Sequence, residues 1–246
     1  MFSLAGCSGS KEEGAKEEGK AKIAVIFGLG GLGDQSYNDL AYEGIERAKK
    51  ELGIEYDYAE PKEITDYETI ADSILLEDNV VSYACREQEG AFLVGALAAY
   101  MKQDAGAFNL ENNHKYGFVG ALENETINRF AAGYQAGIKY VDKDADVAIQ
   151  YVGGDNPFGD TTTAKEIATT QKTKGYDIIF HAAGGSGLGV FAAAKENDFI
   201  AIGANSNQNI IDPDHIVASM LKRVDVAVFD IVNGVLEDSL TLGKET

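Results

Sequence analysis

Short, nearly continuous apolar segments alternate along the chain with longer segments in which apolar residues recur every three or four positions. The first apolar segment, residues 22–27, reads KIAVIF, and apolar positions at helical spacing follow over residues 37–52. Runs of the first kind are typical of parallel strands buried on both faces, and the second pattern is typical of amphipathic helices. We therefore predict an α/β protein with mostly parallel sheets flanked by helices.

The same patterns recur through the chain and predict its other elements. Strands are predicted over residues 22–27, 54–59, 80–84, 116–120, 146–152, 176–182, 199–204 and 217–220. Helices are predicted over residues 37–52, 88–102, 124–141, 161–174, 187–197 and 224–236. Folds of this kind bind ligands at the carboxyl ends of their strands.

The alternation restarts after a polar break at residues 109–115, which indicates two similar lobes with a cleft between them. Residues 60–79 are too few for a full βαβ unit, so the first lobe is expected to be shortened. Residues 237–246 end in the middle of a pattern, as if the C-terminal segment were truncated. The predicted division is a tether at 1–22, a first lobe at 23–112, a second lobe at 113–220, and a crossover helix with the C-terminal segment at 221–246.

Composition and charge exclude several classes of protein. The chain has 246 residues, with 40 acidic against 21 basic side chains and a formal charge of −19, which argues against nucleic-acid binding. Two cysteines and three scattered histidines provide neither a disulfide framework nor a zinc site. We expect no metal and no cofactor.

The N-terminal residues carry a candidate lipidation signal. Leu4, Ala5 and Gly6 precede Cys7 as in a bacterial lipobox, and a charged, flexible run continues to residue 22. The motif predicts lipid attachment at Cys7 and anchoring on the extracytoplasmic face of the cell membrane. Only three residues precede it, whereas a secretory signal needs an apolar stretch of roughly 7–15 residues. Either the printed start lies inside a longer signal peptide, or the motif is accidental.

The first glycine-rich loop, residues 28–33, reads GLGGLG directly after the first predicted strand. This is the pattern of a dinucleotide-binding loop, and Glu55, Asp57 or Glu60 could then bind a ribose. An NAD-dependent enzyme is therefore one hypothesis. Against it, Asp34 would cap the following helix with a carboxylate that repels a phosphate. The loop could also serve only as a tight turn.

The second glycine-rich loop, residues 184–189, reads GGSGLG after another predicted strand. It nearly matches the nucleophile elbow of serine hydrolases, but Leu188 stands where that motif needs glycine. No histidine with an acidic partner can be assigned to Ser186. Two loops of this kind, one in each lobe, would suit a clamp that closes on a ligand.

Four side chains near the predicted strand ends each allow two interpretations. Tyr37 could stack on a flat ligand or pack in the fold, and His181 could contact a ligand or lie in the core. Asn205 begins a polar run that could bind a ligand or form a solvated turn. Lys222 could be a cation in the cleft or a surface charge.

Several segments together resemble the basic membrane protein family, the PnrA-like substrate-binding lipoproteins of bacterial ABC transporters. They occur in order as GDQSYN with AYEG, NVVSY, EQEGAFL, GFVG, RFAAGY, PFGD, FHAAGGSG and SMLKR. The resemblance implies a type I periplasmic-binding-protein fold, ABC permease partners, and no enzymatic activity. It also implies a purine nucleoside ligand, with the base stacked on aromatic rings and the ribose held by polar groups.

The resemblance also implies which residues bind the ligand. It assigns Asp34, Ser36, Tyr37 and Asn38 to a contact from the first lobe. The contact from the second lobe would come from His181, Gly184, Gly185, Ser186, Asn205 and Lys222. The chain departs from the family pattern at Gly28, where many members have an aspartate, and at Asn205, where the ribose-binding aspartate usually stands.

Three alternatives to a nucleoside-binding protein stay open. The first is the NAD-dependent enzyme built on residues 28–33. The second is a degenerate surface lipoprotein without a ligand, since the first lobe is short. The third is a binding protein for a sugar or another small polar molecule, because a fold does not determine its ligand.

Overall fold

The computed structural model describes residues 22–62, 66 and 83–240. Strands and helices alternate within these residues, as predicted. The strands are β1 (Lys22–Ile26), β2 (Glu55–Ala59), β3 (Lys115–Gly120), β4 (Asp146–Tyr151), β5 (Ile178–Ala182), β6 (Ile200–Asn205) and β7 (Ile216–Leu221). The helices are α1 (Tyr37–Leu52), α2 (Glu87–Gln103), α3 (Glu125–Val141), α4 (Thr161–Thr173), α5 (Gly187–Asn197) and α6 (Val224–Leu236). Cys7, residues 80–82 of one predicted strand, and residues 241–246 lie outside the described residues.

The chain divides into two compact units. Among the described residues, the first unit comprises 22–32, 38–62, 66, 83–84 and 223–240, and the second comprises 33–37 and 85–222. This division differs from the predicted one, which placed α2 and residues 33–37 in the first lobe. In the structure both segments pack within the second unit.

In the first unit, β1 and β2 pair in parallel from Lys22 opposite Glu55 to Ile26 opposite Ala59. Helix α1 ends at Gly53, whose φ of +70° is a backbone conformation that glycine adopts without steric cost. The close approach of α6 to α1 depends on Gly44, where a Cβ would lie 2.5 Å from the backbone oxygen of Asp225.

The second unit contains a five-stranded sheet in the order β4-β3-β5-β6-β7, and every strand pairing in it is parallel. Adjacent residues of one strand face opposite sides, so that Phe118 and Val119 of β3 belong to two different apolar clusters. Helices α2 and α3 contribute to the cluster around Phe118, and α4 and α5 to the cluster around Val119. The sheet is thus covered on both faces, which explains the nearly continuous apolar strands.

Glycines hold α2 against α3 and account for the placement of α2 in the second unit. A Cβ on Gly95 would lie 2.2 Å from the backbone oxygen of Tyr134. A Cβ on Gly137 would lie 1.9 Å from the backbone oxygen of Phe92. Since no larger residue fits at these points, the two helix backbones pack at close range.

Candidate functional site

Several of the predicted site residues meet at the carboxyl edge of the five-stranded sheet. Asn205 is the last residue of β6, Lys222 follows β7, and residues 184–186 form a short 3₁₀ turn after β5. The segment 33–37 packs in the same unit and makes hydrogen bonds to residues at the end of β6. This is the edge where ligands bind in open parallel sheets.

Ser36 and Asn205 form a directed hydrogen-bond chain at this edge. The amide Nδ2 of Asn205 donates to Ser36 Oγ at 2.8 Å, and Ser36 Oγ donates to the backbone oxygen of Ala204 at 3.1 Å. Asn205 has a φ of +69°, a left-handed conformation that asparagine tolerates better than most residues. The hydrogen bond to Ser36 orients the Asn205 amide and uses one of its two N–H donors.

Further hydrogen bonds anchor the segment 33–37. The side chains of Ser206 and Gln208 both donate to the backbone oxygen of Gln35, at 2.5 and 3.2 Å. Asp34 is buried, and its Oδ1 accepts the backbone N–H of Ser36 at 2.8 Å. The segment is thus held at the carboxyl end of β6 by side-chain and backbone bonds together.

Tyr37 and Lys222 are neighbours at this site, and a buried carboxylate lies beside them. The Lys222 Nζ lies 5.1 Å from the centre of the Tyr37 ring, within the range of a cation–π interaction. The same ammonium donates to Glu87 Oε1 at 2.7 Å. The backbone N–H of Lys222 donates to the backbone oxygen of Asn205 at 2.8 Å, which joins this group to the chain through Ser36.

The second glycine loop contributes backbone rather than side-chain groups. Ser186 is fully buried. Its Oγ donates to the backbone oxygen of Pro157 at 2.9 Å, and its backbone N–H donates to the backbone oxygen of Phe158, also at 2.9 Å. Ser186 therefore uses its hydroxyl and its N–H within the fold, and its predicted contact with a ligand stays a prediction. Gly184, with a φ of +53°, and Gly185 pack closely against Phe158, and a Cβ on Gly185 would lie 3.6 Å from Cβ of Asp34.

His181 lies in the core near the end of β5, and its predicted role in binding stays a prediction. It is fully buried, its ring meets Phe191 edge-on at 4.9 Å, and its Nε2 lies 3.0 Å from Gln208 Oε1. Burial lowers the pKa of His181 to about 4, so the imidazole is neutral and Nε2–H is the donor to Gln208. Because Gln208 Oε1 also accepts the N–H of Ala204 at 2.7 Å, His181 helps to fix the end of β6.

Asn38 closes the first glycine loop with its side chain, and its predicted contact with a ligand stays a prediction. It is 3% exposed; its Oδ1 accepts the N–H of Gly28 at 2.9 Å, and its Nδ2 donates to the backbone oxygen of Gly31, also at 2.9 Å. The carboxylate of Glu60 accepts the N–H of Leu32 at 2.9 Å. A pyrophosphate needs such N–H groups and would be repelled by Glu60, so this loop disfavours the dinucleotide hypothesis.

Two polar residues at this site were missed by the sequence reasoning. Glu87 is the first residue of α2, where a carboxylate reads as a solvated charge at a helix N-terminus, yet it is 4% exposed. Gln208 was included only as part of a polar run after β6, and it proves to bond both His181 and Gln35. A signal for Glu87 existed, since it begins one of the segments that resemble the family.

Two negative findings apply to residues 22–62, 66 and 83–240. Across these residues, no group of three or more histidine, cysteine, aspartate or glutamate side chains is arranged to hold a metal ion. None of the helices in the same ranges combines the length and the apolar character needed to cross a bilayer.

The parallel sheets flanked by helices form the α/β architecture of the type I periplasmic-binding-protein fold. A lipoprotein of Pyrococcus abyssi is 30% identical over 98% of this chain and 71% of its own length. Basic membrane protein A2 of Borrelia garinii is 30% identical over 89% of this chain and 72% of its own. The crystal structure of an ABC transporter solute-binding protein from Aeropyrum pernix matches with a TM-score of 0.82 and 29% identity, covering 92% of this chain and 73% of that one.

The family described as "ABC transporter substrate-binding protein PnrA-like" matches residues 69–246. The chain therefore belongs to this family, which confirms the resemblance inferred from the sequence segments. The family is one of solute-binding proteins rather than enzymes.

Proposed function

We propose that this chain is the solute-binding component of an ABC importer and that its solute is a purine nucleoside, bound without chemical change. The observation that carries the proposal is the joined group of Tyr37, Lys222, Asn205 and Ser36 at the carboxyl edge of the sheet. An aromatic ring beside fixed hydrogen-bonding groups suits a ligand with a flat base and a hydroxyl-bearing sugar.

Tyr37 supports recognition of the base. Lys222 constrains the orientation of the ring by lying over it at 5.1 Å. A nucleobase stacked on a ring held in this way gains about 0.5–1.5 kcal/mol beyond the apolar area that it buries. The contribution suits any flat base, so it explains a preference for nucleosides over sugars.

Asn205 and Lys222 support recognition of the ribose. Asn205 Nδ2 donates one of its two N–H groups to Ser36, and Oδ1 is the atom of this amide that can accept a sugar hydroxyl. The Lys222 ammonium has three N–H donors, of which Glu87 takes one. A neutral amide bonds a hydroxyl more weakly than the aspartate usual in the family, by about 1 kcal/mol per bond.

We further propose that the nucleoside binds in a cleft between two lobes and that closure over it creates the surface recognised by the permease subunits. Relatives are named lipoproteins, which supports a membrane-anchored, extracytoplasmic location. Two or three acyl chains on Cys7 would give stable anchoring, since each buried CH₂ contributes about 0.8 kcal/mol.

Replacement of Tyr37 tests the stacking role. Tyr37→Ala should weaken the binding of inosine, guanosine or adenosine about two- to tenfold in calorimetric titration, while Tyr37→Phe keeps the ring and most of the affinity. Tyr140→Ala is a matched control, because Tyr140 is exposed and lies against Phe92 on the helix pair α2–α3. Equal nucleoside affinity of the wild type and Tyr37→Ala would show that the ring does not stack on the base.

A further inference from the structure

Glu87 and Lys222 form an ion pair that is almost fully withdrawn from solvent. Their side chains are 4% and 12% exposed, and Lys222 Nζ donates to Glu87 Oε1 at 2.7 Å. Removing two charges from water is costly, and an apolar pair of similar volume is often at least as stable. A pair of this kind at a candidate binding site therefore calls for a functional reason.

The second oxygen of Glu87 strengthens this point. Glu87 Oε2 is buried and makes no hydrogen bond to any of the described residues. Arg129 Nη1 lies 3.7 Å from this oxygen, and the same guanidinium also pairs with Glu125 at 2.6 Å. The negative charge of Glu87 is thus stabilised by the hydrogen-bonded Lys222, by the more distant Arg129 and by its position at the N-terminus of α2.

The charge of Lys222 is therefore balanced before any solute arrives. Lys222 pairs with Glu87 and Arg129 pairs with Glu125, so these four side chains together carry no net charge. Lys222 can still donate hydrogen bonds, but its charge is already balanced by Glu87 and therefore gives an anion little attraction.

We infer that Glu87 restricts the site to uncharged solutes by neutralising Lys222, so that nucleosides bind and their 5′-phosphates are rejected. The inference rests on the proposed function, and it adds a specificity-determining residue to it. Glu87 acts through Lys222 and need not touch the solute itself.

The variant Glu87→Gln tests this directly. The amide keeps an oxygen for the Lys222 hydrogen bond but removes the negative charge. In calorimetric titrations at low salt, Glu87→Gln should raise the affinity for inosine 5′-monophosphate relative to inosine by about tenfold. The matched control is Glu89→Gln, which makes the same charge change in the same helical turn at an exposed carboxylate paired with Arg86. An unchanged affinity ratio in Glu87→Gln would overturn the inference.

Cys85 provides a readout that does not depend on any solute. Its thiol is partly buried, which raises its pKa; Lys222 lowers that pKa and Glu87 raises it. If Glu87 neutralises Lys222, Glu87→Gln should accelerate the alkylation of Cys85 by iodoacetamide several-fold near pH 8. Mass spectrometry of the Cys85 peptide measures the rate. Lys222→Gln should slow it, and Glu89→Gln should leave it unchanged.

These two readouts separate failure of the inference from failure of the proposed function. A wild type that binds no nucleoside contradicts the proposed function, and the Cys85 rates still test the neutralisation. Equal Cys85 rates in the wild type and Glu87→Gln would overturn the inference whether or not nucleosides bind. If Glu87→Gln does not fold, the rate in Lys222→Gln decides, since an unchanged rate there also contradicts the pairing.

Discussion

Lowering the pH should destabilise the protein through His181, whose imidazole is fully buried. Burial depresses its pKa from 6.5 to about 4 in the folded protein. Between these values the unfolded chain binds a proton that the folded chain does not, so the free energy of unfolding falls as the pH falls. The contribution is intact above pH 6.5 and is lost progressively as the pH falls toward 4. From pH 7 to 4.5 the expected loss is about 2 kcal/mol.

Urea denaturation of the wild type and of His181→Gln at pH 7 and pH 4.5 measures this loss. The glutamine leaves a neutral donor near Gln208 and does not titrate, so the wild type should be the more stable protein at pH 7. The stability difference between the two proteins should shrink by about 2 kcal/mol at pH 4.5. His114→Asn is the control, because His114 is exposed at the surface. A difference between wild type and His181→Gln that is independent of pH would refute the assignment of a buried, neutral His181.

Two further substitutions test the helix packing and the hydrogen-bond chain at the site. Gly137→Ala should destabilise the protein by about 1–3 kcal/mol in urea denaturation, because the new Cβ would meet the backbone of Phe92. Gly106→Ala is the control and should change stability little, because nothing lies within 4 Å of the new Cβ. Equal stabilities of the two variants would contradict the close helix packing. Asn205→Gly should keep the left-handed backbone but lose the bond to Ser36 and the acceptor for the ribose. Nucleoside binding should therefore weaken about tenfold in calorimetric titration. Unchanged affinity would show that Asn205 does not contact the solute.

The sequence predicted the alternation of strands and helices well because both periodicities are local. Strands β6 and β7 appear as apolar runs, and the polar residues that follow them, Asn205 and Lys222, were therefore placed at the carboxyl edge of the sheet. The same reasoning predicted the end of α1 at Gly53. In each case the deciding residues lie within a few positions of the feature they determine.

Long-range contacts explain where the predictions differ from the structure. Helix α2 was expected in the first lobe because chain order alone says nothing of the contact between Gly137 and Phe92. The sequence allowed both a core position and a ligand contact for His181, because its environment depends on Gln208, which lies 27 residues further along the chain. Glu87 was not predicted as a site residue, since its partner Lys222 lies 135 residues away.

The roles of the two glycine loops also depended on distant partners. Residues 28–33 match a dinucleotide-binding pattern, but the carboxylate that accepts the N–H of Leu32 comes from Glu60, 28 residues away. Ser186 stands at the centre of the second loop, yet its hydroxyl is bonded to Pro157, 29 residues away. A motif specifies the backbone turn, whereas the neighbours of that turn decide which groups face a ligand.

Calorimetric titration of the wild-type protein with adenosine, guanosine and inosine tests the central proposal most directly, with galactose and NAD titrated under the same conditions. We expect saturable binding of one molecule per chain for at least one of the three nucleosides, and no saturable heat with NAD or galactose. Binding of galactose without any nucleoside would contradict the proposed solute, and a folded protein that binds none of the five would contradict a nucleoside-binding function.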